Sequence, residues 1–310
     1  MSITVVIQQM TMIVLLIALG FYSYKKSILT DETTKGISAL IVNITNPCLM
    51  VYSMLSTGER LSGKLIVLGL ISVIVTDAIL IVMAELIPRL LKVKDTERYC
   101  YWMLGVFGNV GFIGIPLTNA VLGPDALVYV AFHNLIFNLL IYTVGINKIR
   151  TAAGEEKSGF SFDMLKSCIN SGTVSVLIGL ILYVAGISLP GLIMSTIDYA
   201  GRATTFLSMM ILGSAVARMS IRQVITDARL LIFSLIRLIL IPGLVLIILK
   251  LFIKDDLIIY TSALMLAVPA GNMPLIMATG HGLKADKISD GIVLTTVLSL
   301  ITIPIVTLFV

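Results

Sequence analysis

Two asparagines stand in matching interruptions of otherwise apolar sequence. In "GVFGNVGFIGIP", Gly105, Gly108, Gly111 and Gly114 surround Asn109 and the run ends in Pro116; in "AVPAGNMP", Pro269, Gly271 and Pro274 surround Asn272. Glycine and proline free backbone amides and carbonyls that an apolar medium cannot satisfy, so each break must lie against protein or a water-filled cavity. A helix that restarts after such a break presents unpaired N–H groups and the positive end of its dipole, which is suited to an anion. The candidate binding set is therefore Asn109, Val110, Gly111 and Pro116 from the first interruption, with Pro269, Gly271, Asn272, Met273 and Pro274 from the second. Apolar neighbours (Phe112, Ile115, Met273, Met277) suit a carboxylate carrying a modest apolar body. Either break alone is as well explained by a proline kink or a close helix contact through small residues. Their pairing favours a binding site.

A few ionisable residues also fall inside apolar runs, where a charge costs about 2.5–3.5 kcal/mol on insertion scales. Asp77 and Arg237 sit at similar depths and are candidates to pair; alternatively each lines its own polar cavity, or Arg237 extends to the surface. His133 has the chemistry of a proton relay, although such a histidine is more often a packing group. Asn134 and Asn138, at i and i+4, share a helix face, and Asp290 suits a helix start. Cys48, Cys100 and Cys168 are single, without metal or redox spacing. With two histidines in all, and no HExxH, GxGD or GxxxxGK[ST] sequence, neither an intramembrane enzyme nor an ATP-driven pump is supported. No metal or cofactor is expected. A receptor would usually add a signalling segment, and none is evident.

The elements that must hold these residues are membrane helices. Of 310 residues, 58% are hydrophobic and 13% charged, against about 25% charged in soluble chains. Apolar runs predict ten spans, at 3–22, 37–55, 65–87, 99–122, 126–147, 168–188, 195–217, 228–250, 257–280 and 287–309. They lack the period-two alternation of a membrane barrel. The first is not read as a secretory signal, because Lys25 and Lys26 follow it and no basic residue precedes it. Lys and Arg crowd the odd-numbered connections (Lys25, Lys26, Lys35; Arg89, Lys92, Lys94, Arg98; Lys148, Arg150, Lys157, Lys166; Arg218, Arg222, Arg229; Lys284, Lys287). The even ones hold only Arg60, Lys64, Arg202, Lys250 and Lys254. That bias places the odd connections in the cytoplasm and both termini outside. It also explains the net charge of +5 without nucleic acid.

Asn109 and Asn272 lie 163 residues apart, in the fourth and ninth spans. Five spans per half is odd, so the second copy enters upside down: an inverted repeat, the arrangement of many secondary transporters. The expected organisation is a first repeat at 1–148, a cytoplasmic linker at 149–166 and a second repeat at 167–310.

At these residues the chain resembles the auxin efflux carrier family, which includes bacterial permeases. The matching stretches are "GFYSYKKSILTDETTKGISALIVNITNPCLM", "GNVGFIGIPLTNAVLGPDALVYVAFHNL", "FLSMMILGSAVA" and "VPAGNMPLIMATGHGLKADKISDGIVLTTVLSLITIPI", spread over the whole length. The resemblance implies an all-α fold similar to the sodium/bile-acid symporters. In it, helices 1, 2, 6 and 7 form a scaffold, and helices 3–5 and 8–10 a mobile transport domain whose broken fourth and ninth helices cross. It implies that Asn109 and Asn272 hold a substrate carboxylate, and that Asp77 with Lys25 or Lys26 forms a proton-sensitive support site. It makes a homodimer through the scaffold ordinary. The long hydrophilic central loop of the plant members is missing, so auxin itself is a poor substrate candidate. The expectation is a cell-membrane carrier for a small organic anion, working by elevator or rocking alternating access. A sodium-coupled symporter of the bile-acid type is the alternative.

Overall fold

The computed structural model describes residues 3–56, 62–155, 169–218 and 227–309, which form a succession of helices. In chain order they are α1 (Ile3–Lys25), α2 (Asp31–Leu55), α3 (Gly63–Leu90), α4 (Asp95–Val106), α5 (Val110–Leu122), α6 (Pro124–Ala152), α7 (Ser171–Ala185), α8 (Gly191–Arg218), α9 (Ala228–Phe252), α10 (Asp256–Ala267), α11 (Met273–Gly280) and α12 (Asp286–Thr307). By length and composition α2, α3, α6, α8, α9 and α12 can each cross a membrane; α5, α7, α10 and the apolar part of α1 are shorter. Each of the ten expected stretches is helical over most of its length, and the fourth and ninth are divided, between α4 and α5 and between α10 and α11. Cys168 and the basic residues Arg60, Lys157, Lys166 and Arg222 lie outside the described residues, as does most of the expected linker.

Polar caps set several helix starts that apolar runs do not reveal. The helix of the second stretch begins at Asp31 rather than 37. The Thr30 hydroxyl accepts the Thr33 N–H at 3.2 Å, while the Thr33 hydroxyl accepts the Thr30 N–H at 2.7 Å. Ser62, Asn170, Asp227 and Asp255 cap α3, α7, α9 and α10, each by a side-chain oxygen that accepts a backbone N–H of the first turn.

Among the described residues, four helices contain a turn widened to i+5→i hydrogen bonding: Ile41–Thr45, Val110–Gly114, Ile141–Gly145 and Ile236–Leu240. Three of them run into Pro47, Pro116 or Pro242, whose ring nitrogen cannot donate to the preceding turn. The wide turn absorbs that missing bond. These three turns adjoin Asn46, contain the start of α5 and contain Arg237, so the prolines shape the neighbourhood of both asparagines.

Packing falls into two sets. α1 lies along α8, and α7 and α8 pack on α2. The α1/α8 contact is backbone against backbone: a Cβ on Gly213 would overlap the Ile17 carbonyl, and one on Gly20 the Met210 carbonyl. The other set joins α3 to α4, α9 to α10, and α12 to α4, α9 and α10, with α6 between α3 and α10. α6 also touches α2 and α7, linking the sets. Leu90, Ile181, Ile247, Leu251, Phe252 and Ile301 are exposed. Left in water, each would forgo about 1.5–3 kcal/mol of burial, so these faces suit lipid. Buried Ser72, Thr76, Ser234 and Ser299 return their hydroxyl protons to carbonyls three or four residues back, which lets them pack without an external partner.

Candidate functional site

The two interruptions meet. The Asn109 N–H donates to the Pro269 carbonyl at 2.7 Å and the Gly271 N–H to the Phe107 carbonyl at 2.9 Å. Gly108 and Ala270 thus face each other in a one-residue antiparallel bridge. Backbone groups that the breaks release are in this way spent on one another, as burial requires. The Ala270 N–H, pointing away, donates to the Thr295 hydroxyl of α12 at 3.1 Å. A Cβ on Gly271 would stand 2.9 Å from the Gly108 carbonyl oxygen and would push the strands apart.

The asparagines are not equivalent. Asn109 lies within the bridge, and its side-chain oxygen accepts the Phe112 N–H at 3.1 Å, capping α5. Asn272 lies one residue beyond the bridge and starts α11 with no side-chain cap. It is exposed, and so are Ile276 and Thr279 on the same helix face. Of the remaining candidates, Pro116, Pro269, Gly271 and Pro274 are buried, as is Val110, while Gly111 and Met273 are half-buried. From Gly111 the open direction leads to Asn46 of α2, whose Nδ2 lies 3.7 Å from the place of a Cβ. The Asn46 Oδ1 is buried without a partner. Sequence reasoning passed over Asn46 and Thr295. The available signal for Asn46 was its place before Pro47; a single threonine in a long helix gives none.

Arg237 departs most from expectation. It makes no ion pair with Asp77 and does not extend to the surface: it is 1% exposed. Its Nε donates to the Leu104 carbonyl at 3.1 Å, and its Nη1 to the Leu266 and Val268 carbonyls, both at 2.7 Å. Leu104 and Leu266 belong to the last turns of α4 and α10. Of the readings open to Asp77 and Arg237, neither a direct ion pair nor separate cavities is found: both line one cavity. Asp77 Oδ2, His133 Nε2 and Arg237 Nη2 are buried without partners, and all three residues line a space in which about 20 Å³ is open to the centre of a water molecule. That is room for one water with polar partners. His133 is thus a buried cavity residue. Lys25 is not brought to this place: it is exposed, with its ammonium over the Phe21 ring at 5.6 Å.

Asn134 and Asn138 form a ladder. Asn138 Nδ2 donates to the Asn134 side-chain oxygen at 2.8 Å, and Asn170 Nδ2 donates to Asn138 Oδ1 at 2.9 Å, joining α6 to the start of α7. Asp290, in the second turn of α12, is half-buried. Among the described residues no group of His, Cys, Asp and Glu could hold a metal, and Cys48 and Cys100 are free.

Residues 5–307 match the membrane transport protein family. The chain is 22% identical over 293 residues to an uncharacterized transporter of Methanothermobacter thermautotrophicus, covering 94% of each protein. It is 25% identical over 303 residues to an uncharacterized transporter of Methanocaldococcus jannaschii, again with 94% of each covered. A match over nearly the whole length, on a helical chain with two interrupted helices crossing at its centre, makes this protein a multi-pass member of the membrane transport protein family, that of the auxin efflux carriers.

Proposed function

We propose that the protein is a secondary carrier for a small organic anion, a carboxylate, in the cell membrane. The observation that carries this is the hydrogen-bonded crossing, from which α5 and α11 restart at Asn109 and Asn272. Two helix N-termini in a low-dielectric setting, with amide side chains beside them, favour negative charge. Asn46, facing Gly111 from α2, supplies a further amide on the opposite wall. Asn272 is exposed at the start of α11, which leaves its amide open to a ligand.

The ten stretches act as spans in two inverted repeats, 1–148 and 167–310, joined by a cytoplasmic linker at 149–166, with both termini outside. The two packing sets support α1, α2, α7 and α8 as scaffold and the remaining helices as the moving unit. Movement of that unit against the scaffold carries the crossing, and the anion with it, from one side to the other. A homodimer would form through the scaffold.

The test is uptake into proteoliposomes of labelled mono- and dicarboxylates, with and without proton or sodium gradients. At least one carboxylate should accumulate or exchange in protein-containing vesicles only. If no organic anion moves under any gradient, this function is wrong.

A further inference from the structure

Arg237 is among the largest side chains buried almost completely, at 1% exposed, and nothing in the carrier function above requires it. A guanidinium buried this completely needs compensating negative charge, and Asp77, though it lines the same small cavity, makes no ion pair with it. Its partners are carbonyls from two places: Leu104 in the last turn of α4, and Leu266 with Val268 at the end of α10. Those are the C-terminal ends of the two half-helices that run into the crossing. Each such end carries roughly half an elementary negative charge, so two of them together balance one guanidinium. They also leave carbonyls without intrahelical donors, which is the arrangement that binds metal cations in discontinuous membrane helices.

We infer that Arg237 is a built-in cation: its guanidinium occupies the converging C-terminal ends of α4 and α10, where an exchangeable monovalent metal ion would otherwise have to sit, and holds the crossing together without one. This inference rests on the carrier function for its transport arm only. Three further features fit it. The wide turn at Ile236–Leu240, set by Pro242, carries Arg237 on the buried side of α9. Gly108 lets the same group come close, since a Cβ there would lie 2.9 Å from Nη2 and 2.9 Å from the Val268 side chain and would displace them. The asparagines that begin α5 and α11 belong to the opposite, N-terminal ends, so Arg237 does not compete with them for an anion. Arg237 is a positioning residue, and a bound sodium ion would duplicate its charge.

The experiment compares parent, Arg237→Ala and Arg237→Lys in thermal unfolding of the purified full chain and in proteoliposome uptake. Each is measured with sodium, with choline replacing all sodium, and with millimolar methylguanidinium or its neutral analogue urea. Parent unfolding and uptake should be unchanged when choline replaces sodium. Arg237→Ala should unfold at lower temperature and lose uptake by about tenfold or more, given the charged hydrogen bonds removed. Methylguanidinium, and to a smaller degree sodium, should restore part of both losses, whereas urea should restore neither. Arg237→Lys should lie between Ala and parent. A sodium requirement in the parent, equal recovery with urea, or an Arg237→Ala protein that folds but responds to no cation would each overturn the inference. If Arg237→Ala cannot be purified, Arg237→Lys against Arg237→Met decides: the lysine protein should unfold at the higher temperature, and equal midpoints would overturn it. If the parent moves no organic anion, the carrier function fails while the unfolding series still decides the role of Arg237.

Discussion

At the scale of the residue, the two asparagines do different work. Asn109 spends its side-chain oxygen on the Phe112 N–H, so Asn109→Ala removes a cap as well as a ligand. It should cost about 0.5–2 kcal/mol of stability together with transport. Asn272 makes no side-chain cap and is exposed. Asn272→Ala should leave the unfolding midpoint unchanged in calorimetry or fluorescence and act on transport alone; an equal loss of stability in both variants would contradict the asymmetry. Asparagine in a Gly/Pro interruption was legible as chemistry because an amide side chain is costly in an apolar span and the same kind of break recurs 163 residues on. The difference between the two was not, because it depends on a one-residue register in the bridge that 163-residue spacing cannot reveal. Arg237 was legible as a buried charge, yet its partners are main-chain carbonyls, which have no sequence signature.

At the scale of the element, most helices could be read from apolar runs, and the corrections came from caps and prolines. Asp227 shows how a cap acts. Its carboxylate accepts the Arg229 and Leu230 N–H groups at the start of α9, and Lys287 of α12 donates to it at 2.7 Å. Burial works to raise the pKa of Asp227, but the Lys287 hydrogen bond and the two backbone N–H groups prevail and hold it below the ordinary value of 3.8. A depressed carboxylate stabilises the fold above its unfolded pKa and loses that contribution as pH falls through the folded one. Asp227→Asn keeps a capping oxygen and loses the ion pair, so it should lower the unfolding midpoint modestly at neutral pH, by less than about 1 kcal/mol at this partly exposed site. The deficit should shrink as pH drops below 3.8; a deficit that stays constant over that window would show that the ion pair contributes nothing. Gly213 tests a contact without polar chemistry. Gly213→Val must drive a branched side chain into the α1 backbone, so it should destabilise by about 1–3 kcal/mol or more, whereas Gly243→Ala, where a Cβ meets nothing, should not.

At the scale of the molecule, the proposed movement of one packing set against the other has to break whatever ties them. The Asn138–Asn170 hydrogen bond at 2.9 Å is such a tie, between α6 and α7. Cysteines at both positions, joined by a short reducible cross-linker, should stop uptake and release it on reduction, while each single cysteine should transport. Unchanged uptake after complete cross-linking would exclude relative motion there. The all-helical class and the two central breaks were readable from composition and spacing, since apolar length and Gly/Pro content act locally. The division into packing sets was not, because it depends on which lipid-length helices touch. What decides the central claim is the concentration dependence of uptake for a transported carboxylate in proteoliposomes, measured for parent and Asn272→Ala at equal protein incorporation. If the carboxylate is held at the crossing, KM should rise by about tenfold, the worth of a lost hydrogen bond to a charged group, with an unchanged unfolding midpoint. An unchanged KM and maximal rate in Asn272→Ala would place the anion elsewhere.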